Sequence, residues 1–212
     1  MIHFGKITIN GKDFHGDIEI NIDVIGDTLE GTVGKPVEKI HLTDYHFYPE
    51  KGYPYNPATE QILKALEKYS GYEDSGELPF AIEIESPGSA AALFFDFKWL
   101  RVEPVIIGWE KITNVDFLYA QCHNLEKVTA PDLKNLDSTY GMYYQCRSLK
   151  EIGTIDMSTI TDASGMFFDC SNLYDNGVRL VNKRDDVVTN QMTEWSNLTR
   201  EPWFDKYGNP QD

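Results

Sequence analysis

Three cysteines are the residues whose type and spacing point most directly to chemistry. Cys122, Cys146 and Cys170 follow one another at intervals of 24 residues, and no pair has the Cys-x-x-Cys spacing of a redox motif or zinc ribbon. A disulfide needs convergent side chains, whereas thiols at one position of a repeated unit point the same way. A metal would lack a fourth ligand. The spacing therefore predicts a row of buried, reduced thiols that act as compact apolar side chains.

Histidines and paired carboxylates are the next candidates for metal binding or catalysis. His41, Asp44 and His46 lie close together, but their spacing puts no convergent ligand set on one face of a helix or strand. Glu83 and Glu85 share a strand face, which is the pattern of a solvated edge. The chain shows no nucleophile with its base and no glycine-rich phosphate loop. The sequence predicts a protein that is not an enzyme and that binds no cofactor.

Two aspartates and one asparagine carry weaker signals. Asp132 and Asp156 lie one 24-residue period apart at a turn, where aspartate commonly accepts hydrogen bonds from the local backbone. Calcium is the alternative, although Leu180 takes the next equivalent position and no EF-hand spacing accompanies it. Asn197 begins a glycosylation sequon, which matters only if the chain is exported.

An aromatic segment is the sharpest binding candidate in the sequence. It contains Tyr45, Phe47, Tyr48, Tyr53 and Tyr55, with prolines between them. Aromatic rings with polar tips suit the recognition of a glycan or of another protein. The alternative is that these rings pack against the neighbouring helix or domain, with the prolines stiffening the segment.

Composition narrows the class of partner. The chain has 212 residues, of which 41% are hydrophobic and 25% charged, and its formal net charge is -15. So negative a chain is repelled by nucleic acid and by anionic membrane surfaces, so we expect neither as a partner. The N-terminal residues show no signal-peptide pattern, and no apolar run reaches the roughly 18 residues that a membrane span requires. We therefore expect no membrane insertion.

The neighbourhoods of the cysteines repeat as well as the cysteines themselves. A large apolar residue stands four positions before each cysteine, and a leucine stands three positions after it. A fixed period of this length is typical of a solenoid. A partial repeat begins near Phe94. Met192 and Trp195 echo Met166 and Cys170 after a slip of one or two residues, which predicts that Trp195 replaces the thiol in a terminal cap completed by residues 199–212.

Exposed positions of the repeats carry alternating charges. Glu126 lies one period before Lys150, and Lys127 one period before Glu151, so adjacent units are expected to place opposite charges side by side. This pattern supports the register of the repeats. The same face, with Tyr174, is alternatively a binding surface.

The repeat resembles the BspA-type leucine-rich repeat of bacterial surface proteins. The similarity is carried by residues 155–161, IDMSTIT, and 166–173, MFFDCSNL, and it covers residues 94–198, about half of the chain. Members of that family form curved solenoids that serve as interaction modules or adhesins, and they occur in phage proteins. The resemblance implies a location in a virion, or in the host cytoplasm during assembly.

Residues 1–88 lack the 24-residue period and show alternating strand patterns instead. Asn10 and Gly11 predict a hairpin, residues 18–24 a strand, residues 40–42 a third and residues 80–85 a fourth. Asn56 and Pro57 predict the start of one helix. The predicted fold class is α+β: a small β-rich domain with one helix over residues 1–88, which caps a solenoid of about four 24-residue coils over residues 89–212.

The sequence predicts a non-catalytic structural or protein-interaction module, a component of a larger assembly such as a phage virion. The first alternative is an adhesin for a host receptor or a glycan, which would use the aromatic segment or the exposed face of the repeats. The second is a hydrolase that uses Glu83 and Glu85.

Overall fold

Two antiparallel hairpins begin the chain. A computed structural model describes residues 2–9, 12–20, 22–25, 28–31, 35–43, 55–205 and 209–210, with side chains from residue 35 onward. Strand β1 (Ile2–Ile9) pairs with β2 (Lys12–Ile20), and Ile9 lies opposite Lys12, which confirms the predicted hairpin. Strand β3 (Ile22–Ile25) pairs with β4 (Thr28–Gly31). The strand predicted over residues 18–24 is thus divided between β2 and β3.

A parallel sheet follows. It contains β5 (Val37–His41), β6 (Ala81–Ser86) and β8 (Ile106–Ile107), in that spatial order. Helices α1 (Pro57–Leu66) and α2 (Tyr72–Ser75) lie between β5 and β6 in the chain. This connection supplies the long crossover that two parallel strands need. Strands β5 and β6 confirm the predictions for residues 40–42 and 80–85.

Helix α1 begins where its sequence predicts. The Asn56 side chain accepts a hydrogen bond from the Ala58 N–H at 2.9 Å, and Pro57 occupies the first turn, where a missing N–H is harmless. The Asn56 amide also donates to the carbonyls of Ser89 and Ala91, at 2.9 and 2.7 Å. One buried side chain therefore both caps the helix and attaches it to the segment that follows β6.

The remaining strands are short and parallel. Strand β7 (Gly88–Ser89) pairs with β9 (Ile112–Asn114), which follows a 3-10 turn at Trp109–Lys111. Further along, β10 (Gly153–Asp156), β11 (Val178–Val181) and β12 (Trp203–Phe204) form one parallel sheet. Trp203 and Phe204 are buried, and the C-terminal cap over residues 199–212 stays a prediction.

The predicted fold class, α+β with a leucine-rich-repeat solenoid of about four coils, is wrong. The described part of the chain has more strand than helix, 22% against 10%, and its strands form small sheets. No solenoid of repeats is indicated there. The physical reason is that the repeated segments pair over very short lengths. Lys127 and Glu151, for example, form only an isolated bridge, so no continuous sheet extends through the repeats.

The repeated segments around the cysteines, here called turns, nevertheless contact one another with the 24-residue period. Alternate N–H groups of one turn donate to carbonyls of the next: Tyr119 to Met142 at 2.9 Å, and Tyr143 to Met166 at 3.0 Å. The intervening N–H groups close bonds within their own turn, as Cys122 does to Tyr119. Each buried turn therefore satisfies its own backbone and part of its neighbour's, as buried polar groups require.

A single cluster of buried apolar residues extends from Ile40 to Trp203 and crosses the predicted boundary near residue 88. Its most regular feature is a row of parallel rings formed by Phe94, Tyr119, Tyr143 and Phe167, with centroid separations of 5.3, 5.9 and 6.0 Å. The division into domains at residues 1–88 and 89–212 stays a prediction.

Within the described ranges, no helix has both the length and the apolar character to cross a membrane.

Candidate binding groove

Successive turns leave a groove on the surface of the molecule because their backbones bend in the same way. Each turn has two residues of positive φ four positions apart, such as Gly141 (57°) and Gln145 (61°), or Gly165 (61°) and Asp169 (53°). Glycine is required at residue 141 for a second reason. A Cβ there would lie 2.6 Å from the Phe117 ring, so only glycine lets the ring lie against the backbone.

Aromatic side chains form the walls of this groove, whose volume is about 280 Å³. Phe117 and Tyr140 meet edge to face with centroids 4.9 Å apart, and Tyr144 and Phe168 stack in parallel at 4.7 Å. Small or polar residues complete the lining; they are Gly141, Asp162, Ser164, Gly165, Val188, Asn190 and Gln191. The groove thus combines aromatic rings with polar groups, and its exposed lining is slightly more polar than apolar.

An exposed tryptophan lies next to the Phe168 ring, beyond the groove. Trp195 lies 4.9 Å from Phe168 between ring centroids and is 67% exposed. The prediction that Trp195 replaces a buried thiol is wrong. In the earlier turns, the N–H equivalent to that of Phe167 donates to a carbonyl 23 residues further along the chain, as Tyr143 does to Met166. The N–H of Phe167 instead donates to the carbonyl of Met192, which is 25 residues further along. The residue equivalent to Cys170 in the last turn is therefore Ser196 and not Trp195. Trp195 therefore takes the register position of Asp169, and its indole lies on the surface.

Two carboxylates lie at the groove. Asp162 lines it and accepts the Ser164 N–H at 2.8 Å. Asp116 lies beside it, where Oδ1 accepts the Ser138 hydroxyl at 2.6 Å and the Tyr140 N–H at 3.1 Å. Burial raises the pKa of the Asp116 carboxyl, its hydrogen bonds oppose that shift, and the charge of Asp162 adds to it. Neither carboxylate forms an ion pair with a described residue.

The aromatic segment of the sequence prediction falls mostly outside the described residues. Tyr45, Phe47, Tyr48 and Tyr53 lie there, so their binding role stays a prediction. Tyr55 is described, and its hydroxyl donates to a carboxylate oxygen of Glu60 on α1. This bond ties Tyr55 to α1, and its binding role stays a prediction as well.

The alternating charges form the predicted pairs. Lys150 Nζ lies 2.9 Å from Glu126, and Lys127 Nζ lies 2.9 Å from Glu151. All four groups are substantially exposed, so solvent screens both pairs and they contribute little to stability. Because their charges are satisfied by one another, these residues serve the register of the turns. Tyr174 is also exposed, and the use of this face for binding stays a prediction.

The prediction of buried, reduced thiols is confirmed. Cys122, Cys146 and Cys170 are free and fully buried, and each Sγ lies 3.1 Å from a backbone carbonyl of the preceding turn. Burial raises the pKa of all three thiols. Since the thiolate is the reactive form, these cysteines are structural side chains.

The remaining candidates make local contacts. Glu85 accepts from Lys39 and His41 at 2.9 and 2.8 Å, so the carboxylate of this strand face is ion-paired. Asp132 and Asp156 accept backbone N–H groups two residues on, at 3.2 and 2.9 Å, as the turn interpretation predicts. Asp44 and His46 lie outside the described residues. Within the described ranges, no group of three or more His, Cys, Asp or Glu residues could hold a metal ion.

Sequence reasoning missed the groove, although a signal for it was present. Tyr144 and Phe168 each stand two positions before a cysteine, in consecutive repeats, so their rings share one register position. The equivalent residue of the preceding repeat is Ala120, where the column of rings ends. An aromatic residue at one position of adjacent units predicts a stack, but its exposure depends on the path of the turn.

Comparison of the chain with known protein families, curated proteins and solved structures finds no match.

Proposed function

We propose that this protein is a non-catalytic interaction module that binds another protein within a larger assembly. The observation that carries the proposal is the cluster of exposed apolar side chains at the groove. Of the exposed large apolar residues in the described chain, Tyr140 and Val188 line the groove, and Trp195 contacts the ring of Phe168 in its wall. Exposed apolar patches mark interaction sites, and Trp and Tyr contribute most to protein interfaces.

The chemistry of the buried groups also favours binding over catalysis. The three thiols lie in the apolar interior with raised pKa values, and the Glu85 carboxylate is engaged in an ion pair with Lys39. The earlier candidates for a hydrolase, Glu83 and Glu85, lie on a surface strand face. A general acid and a general base need a shared cleft at the substrate, whereas the ion pair of Glu85 with Lys39 favours a structural role for that carboxylate.

The setting that the family resemblance implies is a phage particle, and we extend the proposal to that setting. Mass spectrometry of purified particles should then find the chain at a fixed, stoichiometric copy number. A chain that is always recovered as a lone monomer would contradict the assembly role.

The surface used for assembly is tested with Trp195→Gln. Glutamine stands at the equivalent positive-φ positions Gln121 and Gln145, so the backbone tolerates the change. The matched control is Leu63→Gln, which removes a half-exposed apolar side chain from α1, away from the groove. Incorporation into the complex should fall for Trp195→Gln alone. Equal incorporation of both variants would place the interface elsewhere.

A further inference from the structure

The size and charge of the groove limit what it can hold. A volume of about 280 Å³ lies just below the lower end of the range for small-molecule sites, about 300–1,000 Å³. The groove is large enough for one long side chain of a partner. Its apolar walls, formed by Tyr140, Tyr144 and Phe168, would cover the aliphatic part of such a side chain.

The charge of the groove is one-sided. Asp162 is the charged residue among its described lining, and Asp116 lies beside it. No lysine, arginine or histidine belongs to that described lining. Elsewhere on the surface, the carboxylates of Glu126 and Glu151 form ion pairs with lysines. Asp116 and Asp162 have no such partner among the described residues.

We infer that the groove receives a basic side chain, arginine above all, from the protein partner. This inference rests on the proposed function and adds to it the chemistry of the partner. A guanidinium group stacks on aromatic rings and donates to a carboxylate in one plane, and its stem packs on apolar surface. Asp162 supplies the carboxylate, while the exposed ring of Tyr140 supplies the aromatic surface. The net charge of -15 attracts a basic partner over longer distances.

The test is a titration of the whole chain, followed by NMR of its backbone amides. The probe is the capped tripeptide acetyl-Gly-Arg-Gly-amide, and the comparison peptide carries citrulline, which has the same shape without the charge. We expect shifts at Gly141, Tyr144 and Gly165 with the arginine peptide, and about tenfold weaker binding of the citrulline peptide, the loss expected for one charge-assisted hydrogen bond.

Two variants separate the groove from the general charge of the protein. Asp162→Asn keeps an oxygen acceptor for the Ser164 N–H and removes the charge, and it should weaken arginine binding about tenfold. Asp132→Asn removes the same charge at an exposed turn and should leave the affinity unchanged.

Three outcomes would overturn the inference: equal affinity for the arginine and citrulline peptides, equal loss in both variants, or no shift with either peptide. Shifts at the same amides with a neutral oligosaccharide alone would assign the groove to a glycan instead. If Trp195→Gln abolishes assembly but the arginine peptide does not bind, the interaction module stands and only the basic partner is refuted. If assembly is unaffected as well, both proposals fail.

Discussion

Replacing Asn56 with aspartate tests how the start of α1 is attached to the rest of the core. The Asn56 side chain is buried, and its three hydrogen bonds are divided by chemistry. The oxygen accepts from Ala58, and the amide nitrogen donates to the carbonyls of Ser89 and Ala91. A carboxylate retains the first bond and loses the other two, because it has no hydrogen to donate.

The expected loss of stability follows from those two carbonyls. A buried polar group left without a partner costs about 1–3 kcal/mol, so Asn56→Asp should lower the free energy of unfolding by about 2–6 kcal/mol at pH 7. A protonated carboxyl can donate one hydrogen bond, and it returns about half of this loss in acid.

The sign of the pH dependence is also fixed. Two facing carbonyl oxygens disfavour the charged form, so the pKa of the introduced carboxyl is raised in the folded state above its unfolded value of about 3.9. The folded state then binds more protons than the unfolded state. The penalty is therefore smallest in acid, and stability is lost as the pH rises through about 3.9 towards the folded-state pKa.

Urea unfolding of both proteins between pH 3.5 and 8, at a few pH values spaced by about one unit, measures this penalty. The matched control is Asn124→Asp, an exposed asparagine whose amide donates to the Lys98 carbonyl at 2.6 Å, because it adds the same charge to the protein. Asn56→Asp should lower the free energy of unfolding more than Asn124→Asp does, and its loss should be smaller in acid. If either expectation fails, the attachment of α1 through the Ser89 and Ala91 carbonyls is refuted.

Three further predictions concern the interior. Tyr143→Phe should raise the free energy of unfolding by about 1–3 kcal/mol, because the buried Tyr143 hydroxyl has no hydrogen-bond partner among the described residues. Phenylalanine already occurs in the same ring stack at Phe167, and a lower stability in urea unfolding would reveal a partner for that hydroxyl. Gly177→Ala should lower the free energy of unfolding by about 1–3 kcal/mol in the same assay, because a Cβ would lie 2.1 Å from the Lys150 carbonyl oxygen. Wild-type stability of this variant would disprove that close approach. Cys146 should react with a thiol reagent at least about 1000-fold more slowly in native than in unfolded protein, and rapid native labelling would contradict its burial.

Local patterns were predictable wherever neighbours in the sequence are also neighbours in space. The hairpin at β1 and β2 and the cap of α1 depend on a few adjacent residues, such as Asn56 and Pro57, whose backbone preferences are intrinsic. The burial of the thiols followed from their period, since residues at one position of a repeated unit share one environment. The fold class did not follow, because a period does not say how many residues of each unit will pair as strands.

The sequence by itself determined which side chains are equivalent: the three buried cysteines, and the oppositely charged Glu126 and Lys150. The tertiary structure alone decided what becomes accessible. Two additional residues between Phe167 and Met192 placed Trp195 at the register position of Asp169, on the surface, and the bend of each turn opened a groove between Tyr140 and Phe168. The exposure of a side chain depends on the course of the backbone over several turns, and a local sequence pattern does not determine that course.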